Sequence, residues 1–150
     1  MNFFTGTYEH TLDVKGRVIV PASLRGVVDE SDGPGLVLTT APENCLVMYT
    51  PVKYQRLCEE QADAPRGSLE FRRFQRNWYA SAELLGLDKQ GRILLPEKKR
   101  SLVKIERELV FAGCGDHIEN VRCIIDHRTG RGFVDGDRLR PIEHLNHVLD

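Results

Sequence analysis

Two short segments carry cations in the same pattern: Asp13-Val14-Lys15-Gly16-Arg17 and Asp88-Lys89-Gln90-Gly91-Arg92. A guanidinium can bond two acceptors in one plane, whether phosphate oxygens or the O6 and N7 of guanine, and a lysine adds a point charge suited to phosphate. Glycine beside them lets the backbone approach a ligand closely. Lys15, Gly16 and Arg17 in the first segment, and Lys89, Gly91 and Arg92 in the second, are therefore candidate nucleic-acid contacts, with Asp13 and Asp88 supporting them. A plainer role is equally open to the same residues. Asp13 and Asp88 can pair with Arg17 and Arg92 across their own turns, as exposed ion pairs that add little stability. The two roles are compatible, because an aspartate that closes a turn also orients the arginine that reads.

A second group has metal-ligand chemistry. Cys114-x-x-His117 and Cys123-x-x-x-His127, with His144 and His147 further on, offer four soft donors of the kind tetrahedral zinc takes. The five residues between His117 and Cys123 leave little chain to complete a chelate, and motifs this short arise often by chance. We therefore expect no metal and no cofactor. Catalytic signatures are also missing: the chain has no glycine-rich nucleotide loop, no Gly-x-Ser-x-Gly elbow, and no serine, histidine and acid placed together by the repeat. A non-enzyme is expected.

The cationic segments must be held by something, and the repeat says what. Residues 13–21 read Asp-Val-Lys-Gly-Arg-Val-Ile-Val-Pro and residues 88–96 read Asp-Lys-Gln-Gly-Arg-Ile-Leu-Leu-Pro, at an offset of 75. Asp-x-x-Gly favours a tight turn, and three aliphatic residues then leave as a strand, so each copy predicts a β-hairpin. Pro21 and Pro96 offer a fixed φ suited to a helix start, which predicts a short helix carrying Leu24-Arg25 in one copy and Lys99-Arg100 in the other. A strand follows each, Leu36-Val37-Leu38 and Leu109-Val110-Phe111. Strands as aliphatic as Val18-Ile19-Val20 and Ile93-Leu94-Leu95 call for burial on both faces, and one unit of about 40 residues supplies little to bury them against. The two units are expected to pack together.

Between them, Pro51 to Gln61 and Ser68 to Leu85 predict two helices, broken at Ala64-Pro65-Arg66-Gly67. Phe71, Phe74, Trp78, Ala82 and Leu85 form an apolar stripe on the second helix, read as packing and not as a base-stacking platform. Arg72, Arg73 and Arg76 fall on other faces, open to water, a neighbouring subunit or phosphate. The expected organisation is repeat 1 over 1–50, a helical insert over 51–80, repeat 2 over 81–124 and a divergent tail over 125–150.

Composition sets the frame. A chain of 150 residues can bury a sizeable core without disulfides, and its four cysteines lack CxxC spacing. Charges interrupt every apolar run, and Met1-Asn2-Phe3-Phe4 does not open a signal peptide, so a soluble cytoplasmic protein is expected, with no membrane partner. Net charge is −1, which by itself argues against a polyanion-seeking protein. Between Arg66 and Arg107, however, eleven Lys or Arg face five acids, while Asp29-Glu30-Ser31-Asp32 and Glu59-Glu60 collect negative charge elsewhere. One basic face on a neutral molecule follows, or simply a solvated one.

The paired segments with their prolines, the helical insert, and Gly113-Cys114-Gly115-Asp116-His117-Ile118-Glu119 together resemble the MraZ family of the AbrB-like superfamily, over residues 3 to about 120. The resemblance implies an α+β, mainly β fold, in which two fused AbrB-like repeats of swapped-hairpin, double-psi type form one barrel with helices inserted between them. It implies a transcription regulator of the division and cell-wall gene cluster, its own promoter included, that binds repeated boxes of double-stranded DNA as a ring-shaped homo-oligomer. A nucleoid-associated location follows from that role. Arg17, with Lys15 beside it, becomes the prime DNA contact. Cys114 and His117 fall in what the resemblance makes an ordinary loop. After Glu119 the family pattern of an aromatic strand end and a helix gives way to a Gly-rich, charged stretch, with a short helix still expected over Leu139 to Leu149. The competing readings are a non-DNA oligomeric interaction module and an AbrB-type antitoxin, although antitoxins of that type are shorter and carry one motif per chain.

Overall fold

Around each motif the chain runs strand, turn, strand, helix, strand. The first set is β1 (Thr7–Thr11), β2 (Arg17–Ile19), α1 (Ala22–Asp29) and β3 (Leu36–Ala41). The second is β5 (Glu83–Leu85), β6 (Arg92–Leu94), α4 (Glu97–Leu102) and β7 (Glu108–Gly113). Between them lie β4 (Cys45–Tyr49), α2 (Pro51–Glu60) and α3 (Leu69–Gln75), and β8 (Ile118–Asp126) and β9 (Arg131–Val134) close the chain. This computed structural model describes residues 3–29, 35–41, 45–61, 67–126 and 131–134. The expected helix over Leu139 to Leu149, and His127, His144 and His147, lie outside the described residues.

Both prolines sit one residue ahead of their helices, where their carbonyls accept the first helical bonds: Arg25 N–H donates to Pro21 O and Arg100 N–H to Pro96 O. In the insert, Thr50 Oγ1 caps α2 by accepting from Lys53 N–H, and Ser68 Oγ caps α3 by accepting from Phe71 N–H.

Seven strands form one antiparallel sheet, ordered β1-β7-β8-β4-β3-β5 with β9 beside β8. One face is the core. Leu36, Leu38, Leu46, Met48, Leu109, Phe111 and Ile118 are fully buried there and meet Leu24 of α1, Val20 and Leu95. Each such side chain contributes about 1.5–3 kcal/mol by leaving water. Asn120 is the exception on this face, set in register between Leu46 and Phe111, with neither side-chain polar atom finding a partner among the described residues. The insert lies over the other face, where Tyr49 and Tyr54 gather around Trp78 and Phe74 stacks on it.

The remaining strands, β2 and β6, pair among the described residues only with each other, antiparallel about Val18↔Ile93. This pairing corrects two expectations, a β-hairpin within each copy and burial on both faces, because the strands flanking each turn pair with the other copy. Val18, Val20, Ile93 and Leu95 are buried, but Ile19 is 47% exposed and Leu94 54% exposed. A two-stranded ribbon has one covered face, so period-two alternation sends the middle aliphatic of each triplet outward.

The second helix is also shorter than predicted. After Gln75 the chain makes one π-helical turn, Arg76–Ala80, and Glu83–Leu85 pairs with β3 as a strand. Phe71, Phe74 and Trp78 keep their aromatic stripe, whereas Leu85 belongs to the sheet and the core. The tail departs as well: β8 runs on to Asp126 and returns as β9, with Cys123 paired to Val134.

Candidate nucleic-acid interface

At each ribbon end an aspartate shapes the turn. Asp13 Oδ1 accepts the backbone N–H of Lys15 and of Arg17, both at 2.9 Å, and Asp13 Oδ2 accepts from Arg17 Nε at 2.7 Å. Asp88 does the same for Gln90 N–H, Arg92 N–H and Arg92 Nε, at 2.9, 2.9 and 2.8 Å. Gly16 and Gly91 turn the chain at φ of +84° and +75°, where a side chain would be strained. The Arg17 amide bond, opposed by slight desolvation and then helped by the Arg17 side chain and the Lys15 amide, pulls the Asp13 carboxyl down to about 2. Asp88 is lowered for the corresponding reasons, its Arg92 amide first.

Each aspartate therefore does two things in one geometry. The carboxylate takes Nε of its arginine and closes the turn. Among the described residues, the terminal nitrogens of Arg17 and Arg92 take no other partner, so the forked end of each guanidinium stays available. Arg17 stands opposite Leu94 and Arg92 opposite Ile19, so the outward face of the ribbon carries two cations on one diagonal and two aliphatics on the other. Lys15 and Lys89 are exposed on the turns themselves.

The ribbon also ties the two copies together. Val20 N–H donates to Gly91 O, and Leu95 N–H donates to Gly16 O, so each turn is bonded to the other copy's strand. Side chains follow the backbone. Arg100 of α4 lies over Gly16, with its Nε donating to Leu95 O at 3.0 Å, and Arg25 of α1 lies over Gly91. Each turn glycine thus makes room for an arginine from the opposite copy. Their positions as helix arginines were readable, but their place beside the other copy's turn was not, since that needs the register of β2 on β6. The copies differ here: Arg25 Nε is buried with no partner among the described residues, whereas Arg100 Nε is bonded. Arg72, Arg73 and Arg76 are exposed on the insert and belong to neither turn.

The family model of the MraZ protein, described as antitoxin-like, matches residues 3–77. The chain belongs to the MraZ family. A relative from Caldanaerobacter subterraneus subsp. tengcongensis, named transcriptional regulator MraZ, is 40% identical over 114 residues, 76% of this chain and 77% of that one. The transcriptional regulator MraZ of Thermoanaerobacter pseudethanolicus is 39% identical over the same length and nearly the same shares. That of Cytophaga hutchinsonii is 31% identical over 119 residues, 79% of each chain. The MraZ family model takes in Asp13–Arg17 and the helical insert as far as residue 77, and ends before Asp88.

One further cluster lies apart from the ribbon in this MraZ-family chain. Cys114 and His117 close the β7–β8 hairpin, with Cys114 N–H donating to His117 O at 2.9 Å and Gly115 at φ +81°. The residue they converge with is Glu119, not Cys123: one donor atom from each of Cys114, His117 and Glu119 lies within 4.8 Å of the others. Glu119 lies outside the Cys/His spacing pattern, two residues along the strand from His117, so no ligand motif marks it in the sequence. His127 lies outside the described residues, and nothing is described of the Cys123 side chain. Contact with Cys114 first, against partial burial, and then with Asp116 and Glu119, raises the His117 pKa to about 9.

Proposed function

We propose that this protein is a sequence-specific, DNA-binding transcription regulator and not an enzyme, acting in the cytoplasm on the nucleoid. Its targets are the repeated promoter boxes of the division and cell-wall gene cluster, including its own promoter. The observation that carries this reading is the fixed guanidinium at each ribbon end. Asp13 and Asp88 hold Nε, and the terminal nitrogens of Arg17 and Arg92 remain to grip phosphate or a guanine edge. The relatives' name, transcriptional regulator, supports the same reading.

The fold proposal goes with it. The β2–β6 ribbon, pseudo-symmetric about Val18↔Ile93, supports two fused AbrB-like halves of swapped-hairpin type that share one barrel. With a net charge of −1, a single protomer has little general attraction for DNA. A ring of protomers offsets this, because linked tips engaging spaced boxes raise effective concentration without new contacts.

A second reading is favoured by one observation: Ile19 and Leu94 stand exposed between the two guanidiniums. In that reading the ribbon face is an oligomer contact, and the protein is a non-DNA interaction module or an antitoxin.

A gel-shift experiment on the fragment upstream of the protein's own gene separates them. Arg17→Ala abolishes the shift while the oligomer survives on a sizing column. Loss of the oligomer instead would favour the interaction module, and loss in Arg92→Ala alone would move the contact to the second turn. Affinity falls steeply between low and moderate salt, since each engaged turn releases counterions from phosphate.

A further inference from the structure

Residues directly opposite on paired strands, and residues two apart on one strand, point to the same side of a sheet. Gly113 pairs with Ile118 and Ala112 with Glu119, so Cys114 and His117 are the next opposed pair, at the hairpin's end. Cys114, His117 and Glu119 therefore share one face, with the small side chain of Ala112 opposite Glu119. The chain brings a thiol, an imidazole and a carboxylate together through strand register alone, on a hairpin fixed by backbone bonds.

The imidazole is oriented. Asp116 Oδ1 lies 2.6 Å from Nδ1, and Glu119 Oε1 lies 3.2 Å from Nε2. A carboxylate on one ring nitrogen sets the tautomer and directs the other nitrogen as a ligand, the recurring support of zinc-bound histidines. Tyr49 lies against the other side of His117, with ring centroids 5.5 Å apart, and Lys53 Nζ stands 3.7 Å from Asp116 Oδ2. His117 is 22% exposed at its side chain.

We propose that Cys114 Sγ, His117 Nε2 and Glu119 Oε1 bind one Zn2+ ion per chain, with Asp116 as the positioning residue on His117 Nδ1. Zinc bonds of about 2.0–2.3 Å place tetrahedral donors about 3.3–3.8 Å apart. The Nε2 to Oε1 separation is 3.2 Å, and one donor atom from each of the three residues lies within 4.8 Å of the other two, so rotations of the Cys114, His117 and Glu119 side chains close the site. Thiolate, imidazole and carboxylate suit zinc better than magnesium or calcium, which prefer oxygen alone. Three protein ligands leave the fourth position to solvent. The site is independent of the ribbon and of the DNA reading.

The test uses the full chain, stripped of metal by a chelator and titrated with Co2+ and then Zn2+. Co2+ gives a thiolate charge-transfer band and visible d–d bands at one equivalent per chain, both erased by added Zn2+. Cys114→Ser removes the charge-transfer band while circular dichroism stays that of the folded protein. His117→Gln and Glu119→Gln each weaken binding at least tenfold. Asp116→Asn keeps the band but lowers Zn2+ affinity about tenfold to a hundredfold, the range for loss of such a carboxylate. Cys123→Ser leaves every signal in place. The proposal is overturned if the folded protein shows no charge-transfer band, if the band survives Cys114→Ser, or if it depends on Cys123. An unchanged affinity in Asp116→Asn overturns the role given to that residue.

Discussion

Arg100 lies across Gly16: a methyl group placed on that glycine would stand 2.9 Å from Arg100 Nη2, although 84 residues separate them in the chain. At φ of +84°, an L side chain at Gly16 is strained whatever space it has. Gly16→Ala therefore lowers unfolding stability by about 1–2 kcal/mol in a denaturant titration. Gly91→Ala, set against Arg25, acts in the same direction. Gly26 provides the internal contrast. It lies within α1, with nothing near the position of a Cβ, so Gly26→Ala gains about 0.5–1 kcal/mol. Equal losses at Gly16 and Gly26 would contradict this account.

Asn120 occupies a place on the core face that an apolar side chain fits better. Its amide is fully buried between Leu46 and Phe111 and bonds to nothing among the described residues. Leucine has a similar shape and no polar atoms to desolvate. Asn120→Leu is expected to raise the unfolding midpoint by the equivalent of about 1–3 kcal/mol at unchanged slope. A destabilised Asn120→Leu would show that the amide has a partner in the assembled protein.

The depressed carboxyl of Asp13 gives a pH window with a definite sign. A group whose folded pKa lies below its unfolded value stabilises the fold above the unfolded pKa and loses that effect as pH falls. For Asp13 the window runs from its ordinary value of 3.8 down to about 2. In an NMR titration, the Asp13 carboxyl carbon and the amides of Lys15 and Arg17 move together near the lower end, while the turn is unchanged between pH 5 and 8. A carboxyl that titrates at its ordinary value would mean the turn is open in solution.

Charge alone does not reproduce Arg17. Asp13 holds the guanidinium by Nε and leaves the terminal fork outward, whereas a lysine has a single nitrogen for both tasks. Arg17→Lys is expected to weaken binding to the promoter fragment at least tenfold, about 1.4 kcal/mol, at constant net charge. Equal affinity would reduce the contact to simple attraction for phosphate.

What the sequence could disclose follows the range of the interactions involved. Asp13 and Gly16 act within five residues, so their turn was readable from residue type, and its second copy at Asp88 and Gly91 was readable by comparison. Alternation in Val18-Ile19-Val20 was not, because three aliphatics in a row carry no period, and the exposure of Ile19 depends on which elements cover the ribbon. Helix formers continue past Ala80, yet Glu83–Leu85 is a strand, since pairing with β3 outweighs local propensity there. The cross-copy placement of Arg25 and Arg100 needed the β2–β6 register. Glu119 escaped notice for a related reason: its proximity to Cys114 is set by hairpin pairing and not by a ligand motif.

The exchange of contacts across the ribbon bears on how the chain is made. Gly16 is bonded to Leu95 and covered by Arg100, and among the described residues β2 pairs only with β6 and β1 only with β7. A nascent chain that has emerged only as far as the helical insert has β1 and β2 without their partner strands, β7 and β6. Its first turn becomes complete only when residues near 100 leave the ribosome, at about 5–20 residues per second. Until then β1 and β2 are unpaired edges, open to the same strands of a neighbouring nascent chain. On a polysome, that proximity provides a route for two chains to exchange halves before either has closed its own ribbon.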